Sequence, residues 1–516
     1  MNFRDKEITY SQRRRKLCGI FGAMIFLLTF MLIFNFEIRY TRAQETEAEA
    51  LTLTLNSASG NNCDNLLDDA YTSTVSFSGK DELTVTGSAP MQGIYIKWAA
   101  PGADWRVSYN GKTVEYKGEE FLHHYIDFGE TADSCTIYFD SDASVCDLFA
   151  YGEGTLPSNV QIWEKPCERA DILVFSTHAD DEILFLGGVL ATYAGQQGLN
   201  VQVAYMTNYW NGAKVREHEK LDGLWESGVR NYPVNGDFDD IYAESLEGAM
   251  SVYSYDDVLG FVTEQIRRFK PLVCVTQDLN GEYGHGGHML LAEAVCEAVD
   301  NSADASFNSE SAEKYGIWDV PKTYLHLYGE NKITMDLRVP LDKMNNRTAV
   351  EVASDAYLQH ISQQWCWFYV SDDYEYSCAD FGLYRTTVGN DTGNDMLENI
   401  TTYEEQESIA ESSRAAEEES RRQAEEALNS QSKDGADTQV QSSETKSSKV
   451  LPVVIVVLMA VVLLTAVFAY SNYMNRRRRR AGHKGGQNSS ARSRSKAGSV
   501  RRNSRGNNGG NRNSHR

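Results

Sequence analysis

Residues Asp171 to Gly188, DILVFSTHADDEILFLGG, restrict the folds open to this chain more than any other stretch. Ile172, Leu173, Val174 and Phe175 make a continuously apolar run, the pattern of a strand covered on both faces. His178, Asp180, Asp181 and Glu182 arrive together where the chain leaves that strand. The spacing then changes to Ile183, Leu186, Leu190 and Tyr193, one face of a helix. In α/β sheets, ligand and catalytic groups collect at the carboxyl ends of strands. An imidazole and two carboxylates at such a point can hold a divalent metal and still leave a carboxylate free.

The alternation continues downstream. Strands are expected at Asn200 to Met206, Leu272 to Thr276 and Lys322 to Leu327, and helices at Val215 to Gly228, Asp256 to Phe269 and His285 to Val299. This order predicts a Rossmann-like parallel sheet with helices on both faces. Residues 51–160 read instead as short strands of an all-β sandwich, with Asn110-Gly111 as a two-residue hairpin turn. In that module Trp98 and Trp105 are either core residues or exposed platforms for sugar rings, and His123-His124 read as solvent-facing.

A second constellation, Gln277 to His288 (QDLNGEYGHGGH), follows one strand and opens a helix. It is expected on the same rim as His178. His285 and His288 are three apart and share a helix face. Singly, each motif has a bland reading: adjacent aspartates often cap a helix, and one histidine of an HxxH pair often bonds a backbone carbonyl. Together, each after a strand and before a helix, they specify a metal site. They offer more ligands than a catalytic zinc needs, since such a zinc takes three and keeps one position for water. A spare carboxylate can take that water's proton, a free imidazole can protonate a leaving amine, and the Tyr283 hydroxyl can donate to an oxyanion. The inventory suits metal-assisted amide hydrolysis.

These two motifs, in this order, resemble those of the PIG-L/LmbE-like zinc-dependent N-acetyl-sugar deacetylases over roughly residues 168–370. The resemblance implies His178, Asp181 and His288 as metal ligands and Asp180 as general base. It implies His285 as acid or orienting group, Tyr283 as the group that polarises the carbonyl, and Arg216 of an Arg-x-x-Glu helix as a substrate holder. It also covers Ala356-Tyr357-x-x-His360-x-Ser362-Gln363. Ala179 and Leu279 stand where the family pattern carries proline. The implied cofactor is Zn2+, with Fe2+ or another divalent ion left open. The β module resembles galactose-binding modules loosely, by strand spacing and aromatics.

Charge and hydropathy organise the rest. The formal net charge is −24, but residues 1–43 carry 8 basic against 3 acidic residues, and 471–516 carry 14 basic and no acidic ones. A middle with 27 basic and 70 acidic residues is a poor partner for nucleic acid. Leu17 to Phe34 follows Arg13 to Lys16, and Val450 to Tyr470 precedes Arg476 to Arg480, so both basic flanks are expected on the cytoplasmic side.

The expected organisation is a basic cytoplasmic N-terminus (1–16), a transmembrane signal anchor or signal peptide (17–36), a β-sandwich (44–160) and a deacetylase-like α/β domain (168–395). An acidic stalk (400–449), part of it a solvated helix, a transmembrane helix (450–470) and a basic disordered cytoplasmic tail (471–516) follow. The catalytic domain then lies outside the cell membrane, with an amino-sugar glycan or glycoconjugate as substrate. Eight cysteines fall in that outer part, and Cys135–Cys146 and Cys366–Cys378 are spaced for local disulfides. Two other readings compete: an amidase acting on a non-sugar amide, and a non-catalytic, membrane-anchored glycan-binding surface protein.

Overall fold

The computed structural model describes residues 46–118 and 121–434. The two apolar runs and the C-terminal tail lie outside these residues. Among the described residues no helix is long and apolar enough to cross a membrane. The chain divides into two compact units at Glu417/Glu418, and the β module and the α/β domain both belong to the first.

The module is antiparallel throughout. Its strands are β1 (Leu53–Ser57), β2 (Val75–Phe77), β3 (Glu82–Trp98), β4 (Trp105–Tyr109), β5 (Lys112–Tyr116), β6 (His123–Phe139) and β7 (Ala143–Tyr151). They form one hydrogen-bonded sheet in the order β2-β7-β3-β6-β4-β5, with β1 on β3. The long β3–β6 pair shifts register around Met91, so one end of β3 takes β1 as its second neighbour and the other takes β7. Asn110 and Gly111 both have positive φ, as the β4–β5 hairpin requires. Trp98 and Trp105 are buried with ring centroids 5.1 Å apart, so they pack the core and are not sugar platforms.

Two expectations about this module are corrected. His123 is not solvent-facing: it is fully buried and its ring nitrogens lie 2.8 Å from Gln161 Oε1 and from His218 Nδ1. All eight described cysteines are free. Cys135 is on β6 and Cys146 on β7, and β3 lies between those strands. Two strand spacings of about 4.8 Å exceed the Cα separation a disulfide spans. Cys366 instead sits 3.1 Å from the Tyr357 hydroxyl, while Cys378 is fully buried.

The second sheet contains β8 (Ile172–Ser176), β9 (Val201–Asn208), β10 (Val234–Asp239), β11 (Val273–Thr276), β12 (Lys322–His326), β13 (Lys332–Thr334) and β14 (Asp380–Thr386). Its order is β10-β9-β8-β11-β12-β14-β13. The first five strands are parallel; β14 and β13 add an antiparallel edge that the alternation did not forecast.

Side-chain alternation divides the two faces. Ile172, Val174, Val201 and Val203 pack with α1 (Asp181–Leu184), α2 (Val215–Glu226) and α5 (Ala349–Tyr357). Leu173, Phe175, Ala204 and Met206 pack with α3 (Tyr255–Phe269) and α4 (Gly286–Asn301). Chain direction across the sheet reverses between β8 and β11, so the crevice beyond their carboxyl ends is the topological switch point. Finally, the side chains of α6 (Tyr403–Asp434) from Glu404 to Glu426 are exposed, as a solvated helix requires.

Candidate active site

Both motifs meet at that switch point. Gln277, just past β11, accepts at Oε1 from the backbone N–H and the hydroxyl of Thr177, just past β8, at 2.9 and 2.5 Å. This clamp brings together side chains more than a hundred positions apart. His178 Nδ1 lies 2.8 Å from Asp181 Oδ2, His288 Nε2 lies 2.9 Å from the same oxygen, and the two nitrogens are 3.3 Å apart. The ring nitrogens of His178, His285 and His288 also lie within 4.8 Å of one another.

Hydrogen-bond bookkeeping separates these groups. His285 is the N-cap of α4, and its Nδ1 accepts from the Gly287 N–H at 3.0 Å. A neutral imidazole with that lone pair engaged carries its proton on Nε2, which makes it a donor. Burial, with His178 and His288 adding to it, lowers the pKa of His285 to about 3, so the ring is neutral. His288 is arranged the opposite way: its Nδ1 faces Glu282 Oε2 at 2.7 Å, leaving the Nε2 lone pair aimed at Asp181 and His178. His178 turns Nε2 to Asp240 Oδ1 at 3.4 Å and Nδ1 inward. Each inward nitrogen is thus backed by a carboxylate on the far side of its ring, the usual support of a metal-bound histidine. The donor set His178 Nδ1, Asp181 Oδ2 and His288 Nε2 therefore fits a divalent cation, with His285 beside it as a hydrogen-bond donor.

Burial opposes ionisation of Asp181, but His288 and His178 outweigh it and hold the carboxyl well below its ordinary value. Burial also disfavours charge on His288, yet Asp181 and Glu282 raise it to about 10. A field that draws a proton so strongly onto this nitrogen also draws a metal cation.

Asp180 sits one residue from the cluster with φ 127°, a strained backbone for any residue but glycine. It is held there from several sides. Its N–H donates to Glu182 at 2.8 Å, and Arg216 on α2 reaches its carboxylate at 3.0 Å and the Ala179 carbonyl at 2.6 Å. The Ala179 N–H donates to the Tyr209 hydroxyl at 3.1 Å, so hydrogen bonds fix the turn where the family pattern uses proline. Burial pushes Asp180 up to about 7, against the pull of Arg216 and with Asp181 adding to the rise. Tyr283, also at positive φ (49°), hangs over the pocket with its ring 5.6 Å from that of His285.

His178, Asp180, Asp181, Arg216, Tyr283 and His285 all line one cavity of about 740 Å³, with His288 buried close behind. Arg216 is not a surface pair with Glu219. It bonds Asp180 and Asp240, while Glu219 accepts from the Ser362 N–H and hydroxyl at 2.7 and 2.6 Å.

Sequence reasoning missed Glu282, Asp240, and the wall formed by Tyr242, Trp365, Trp367 and Phe368. Asp240 follows β10 on the same rim, and that position was its available signal. Glu282 carried none beyond adjacency to Tyr283, because its role depends on His326 from another strand.

Fold and pocket together define an α/β domain with a candidate cation site at its switch point. Residues 173–299 match the family model described as PIG-L, GlcNAc-PI de-N-acetylase, and the chain carries a PIG-L family domain there. It is 24% identical over 193 residues to 1D-myo-inositol 2-acetamido-2-deoxy-alpha-D-glucopyranoside deacetylase 1 of Catenulispora acidiphila, covering 31% of this chain and 56% of the relative. It is 33% identical over 187 residues to the deacetylase of that name from Geodermatophilus obscurus, covering 30% and 60%. The chain spans between 56% and 63% of the length of the first curated relatives it matches. The solved N,N'-diacetylchitobiose deacetylase from Pyrococcus horikoshii is 19% identical, covering 38% of this chain and 71% of that one at a TM-score of 0.29, too partial a likeness to carry weight.

Proposed function

We propose that the chain is a metal-dependent N-deacetylase that hydrolyses the acetamide of an amino-sugar conjugate. One observation carries this reading: three inward lone pairs, on His178, Asp181 and His288, converge beside a carboxylate, Asp180, that is not among them. The PIG-L match and the deacetylase relatives support it.

When bound, a zinc ion, or Fe2+ in its place, lowers the pKa of water toward neutrality and polarises a carbonyl oxygen. Asp180 takes the proton of the attacking water, and a carboxyl near neutrality is suited to that transfer. Arg216 keeps Asp180 in position and neutralises it between proton transfers. As the carbonyl carbon becomes tetrahedral, the Tyr283 hydroxyl donates to the developing oxyanion. The proton taken by Asp180 is passed to the nitrogen as the C–N bond breaks, while neutral His285 donates its Nε2–H as a hydrogen bond that orients the intermediate; acetic acid, which ionises to acetate, and a free amine are left.

The two basic-flanked apolar runs support a tether that keeps the catalytic domain outside the cell membrane, so its substrate is an envelope or extracellular glycan. The test is release of primary amine from acetylated amino sugars by the full chain, with and without chelator. Turnover that chelator abolishes and zinc restores supports the reading; chelator-resistant turnover overturns it.

A further inference from the structure

Beyond the reacting centre, the cavity has an aromatic outer wall on the segment that follows α5. This segment is tied at both ends. Ser362 is bonded to Glu219, and the Gln364 side-chain amide donates to the carbonyls of Tyr357 and His360 at 2.9 and 3.2 Å. At the other end Phe368 packs on Tyr283, with centroids 4.5 Å apart. Trp367 lies 4.1 Å from Phe368, so an aromatic path runs outward from the tyrosine of the site. Trp365 is 82% exposed and Trp367 62%, and both line the cavity. Tyr242, which also lines the cavity, is 65% exposed with its ring 5.0 Å from that of His285.

Two indoles left in water on an anchored segment forgo a large burial gain, which marks a surface that a ligand covers. The charge on the cavity narrows the ligand. Asp180, Asp181 and Asp240 line it against one permanent cation, Arg216, already bound to Asp180 and Asp240. A phosphate or carboxylate group finds no unpaired Lys or Arg among the lining residues, since Arg216 and a bound divalent ion together only balance the three carboxylates. A neutral sugar ring presents a flat C–H face to an indole and hydroxyls to solvent, which suits this wall. The volume, about 740 Å³, lies well above the lower end of the ~300–1,000 Å³ range of ligand sites.

We propose that Trp365 and Trp367 form a subsite for the sugar ring next to the acetylated one, so that the substrate is a neutral oligosaccharide or glycan chain. This rests on the deacetylase reading but can fail separately from it.

The test compares N-acetylglucosamine with its β-1,4-linked dimer and trimer and with N-acetylglucosamine 1-phosphate, on the full chain. Amine release gives kcat/KM, and calorimetry on Asp180→Asn gives binding without turnover. The trimer is expected to exceed the monomer by about fivefold or more in both measurements. That ratio is expected to collapse toward one in Trp365→Ala/Trp367→Ala and to survive in Trp365→Phe/Trp367→Phe, which keeps a flat ring at each position. A trimer that binds no better than the monomer, a ratio unchanged by the alanine pair, or a preference for the phosphate overturns the subsite. Absence of amine from every sugar, alongside tryptophan-dependent trimer binding, overturns the deacetylase reading and leaves the subsite standing.

Discussion

Glu282 Oε2 lies 2.7 Å from Nδ1 of His288, and the other oxygen of that carboxylate lies 2.6 Å from Nδ1 of His326. All three side chains are fully buried. Burial opposes charge on Glu282, but the bonds to His288 and His326 outweigh it and hold its pKa at about 2. His326 reaches the Ser377 carbonyl at 2.9 Å through its other nitrogen, which ties the arrangement to the edge of the sheet. Glu282 therefore fixes both the tilt and the tautomer of His288. Glu282→Gln is expected to weaken metal binding by ~10–100-fold, measured by chelator competition. Unchanged affinity would count against this role.

The proposed mechanism makes Asp180 the proton acceptor and not a ligand. Asp180→Asn preserves the side-chain shape and the contact with Arg216. It is expected to lower kcat by ~10²–10⁴-fold while bound metal per chain stays at the wild-type level. Loss of metal together with activity would move Asp180 into the ligand set.

The β module is not a detachable appendage. His218 and Asp222 on α2 face it, and His218 bonds His123 while Asp222 accepts from Tyr71 and Gln161 at 2.7 and 2.6 Å. The same helix carries Arg216 into the active site. Burial, with Lys97 and Lys220 adding to it, lowers His218 to about 3, from 6.5. The unfolded chain thus binds a proton that the folded chain refuses. Stability from this group is complete above about pH 6.5 and is lost as the pH falls toward 3. His218→Gln is expected to have a shallower fall of Tm between pH 6.5 and 4 than the wild type. Equal slopes would show that the histidine pair does not govern the acid limb.

Gly286 opens α4 against the N-cap of the Leu246–Val252 helix: an added Cβ would lie 2.0 Å from the Ser245 carbonyl oxygen. Backbone at that distance has to move, and His285 and His288 move with it. Gly286→Ala is expected to cost roughly 2 kcal/mol or more in stability, read by denaturant unfolding, and to lower amine release as well. A variant as stable as the wild type would mean that this helix start is looser than the packing indicates.

The sheet and the meeting of the two motifs were legible because buried parallel strands read as unbroken apolar runs, and polar clusters at their ends have one place to go. Ile172 to Phe175 followed by His178 is the example. The antiparallel edge was not legible: β14 lies far along the chain, and its pairing with β12 depends on the intervening segments. Glu282 and Asp240 were missed because a supporting carboxylate is defined by what it touches. Trp365 and Trp367 were missed because exposed aromatics look like core residues in a sequence. His123 was misread because its partners, Gln161 and His218, come from outside its own module.

Metal content per chain in three single variants measures directly which atoms grip the cation. With wild type holding one divalent ion, Asp181→Ala and His288→Ala are expected to lose it and His285→Ala to keep it. An ion retained in Asp181→Ala but lost in His285→Ala would contradict the account and assign the site to the three imidazoles.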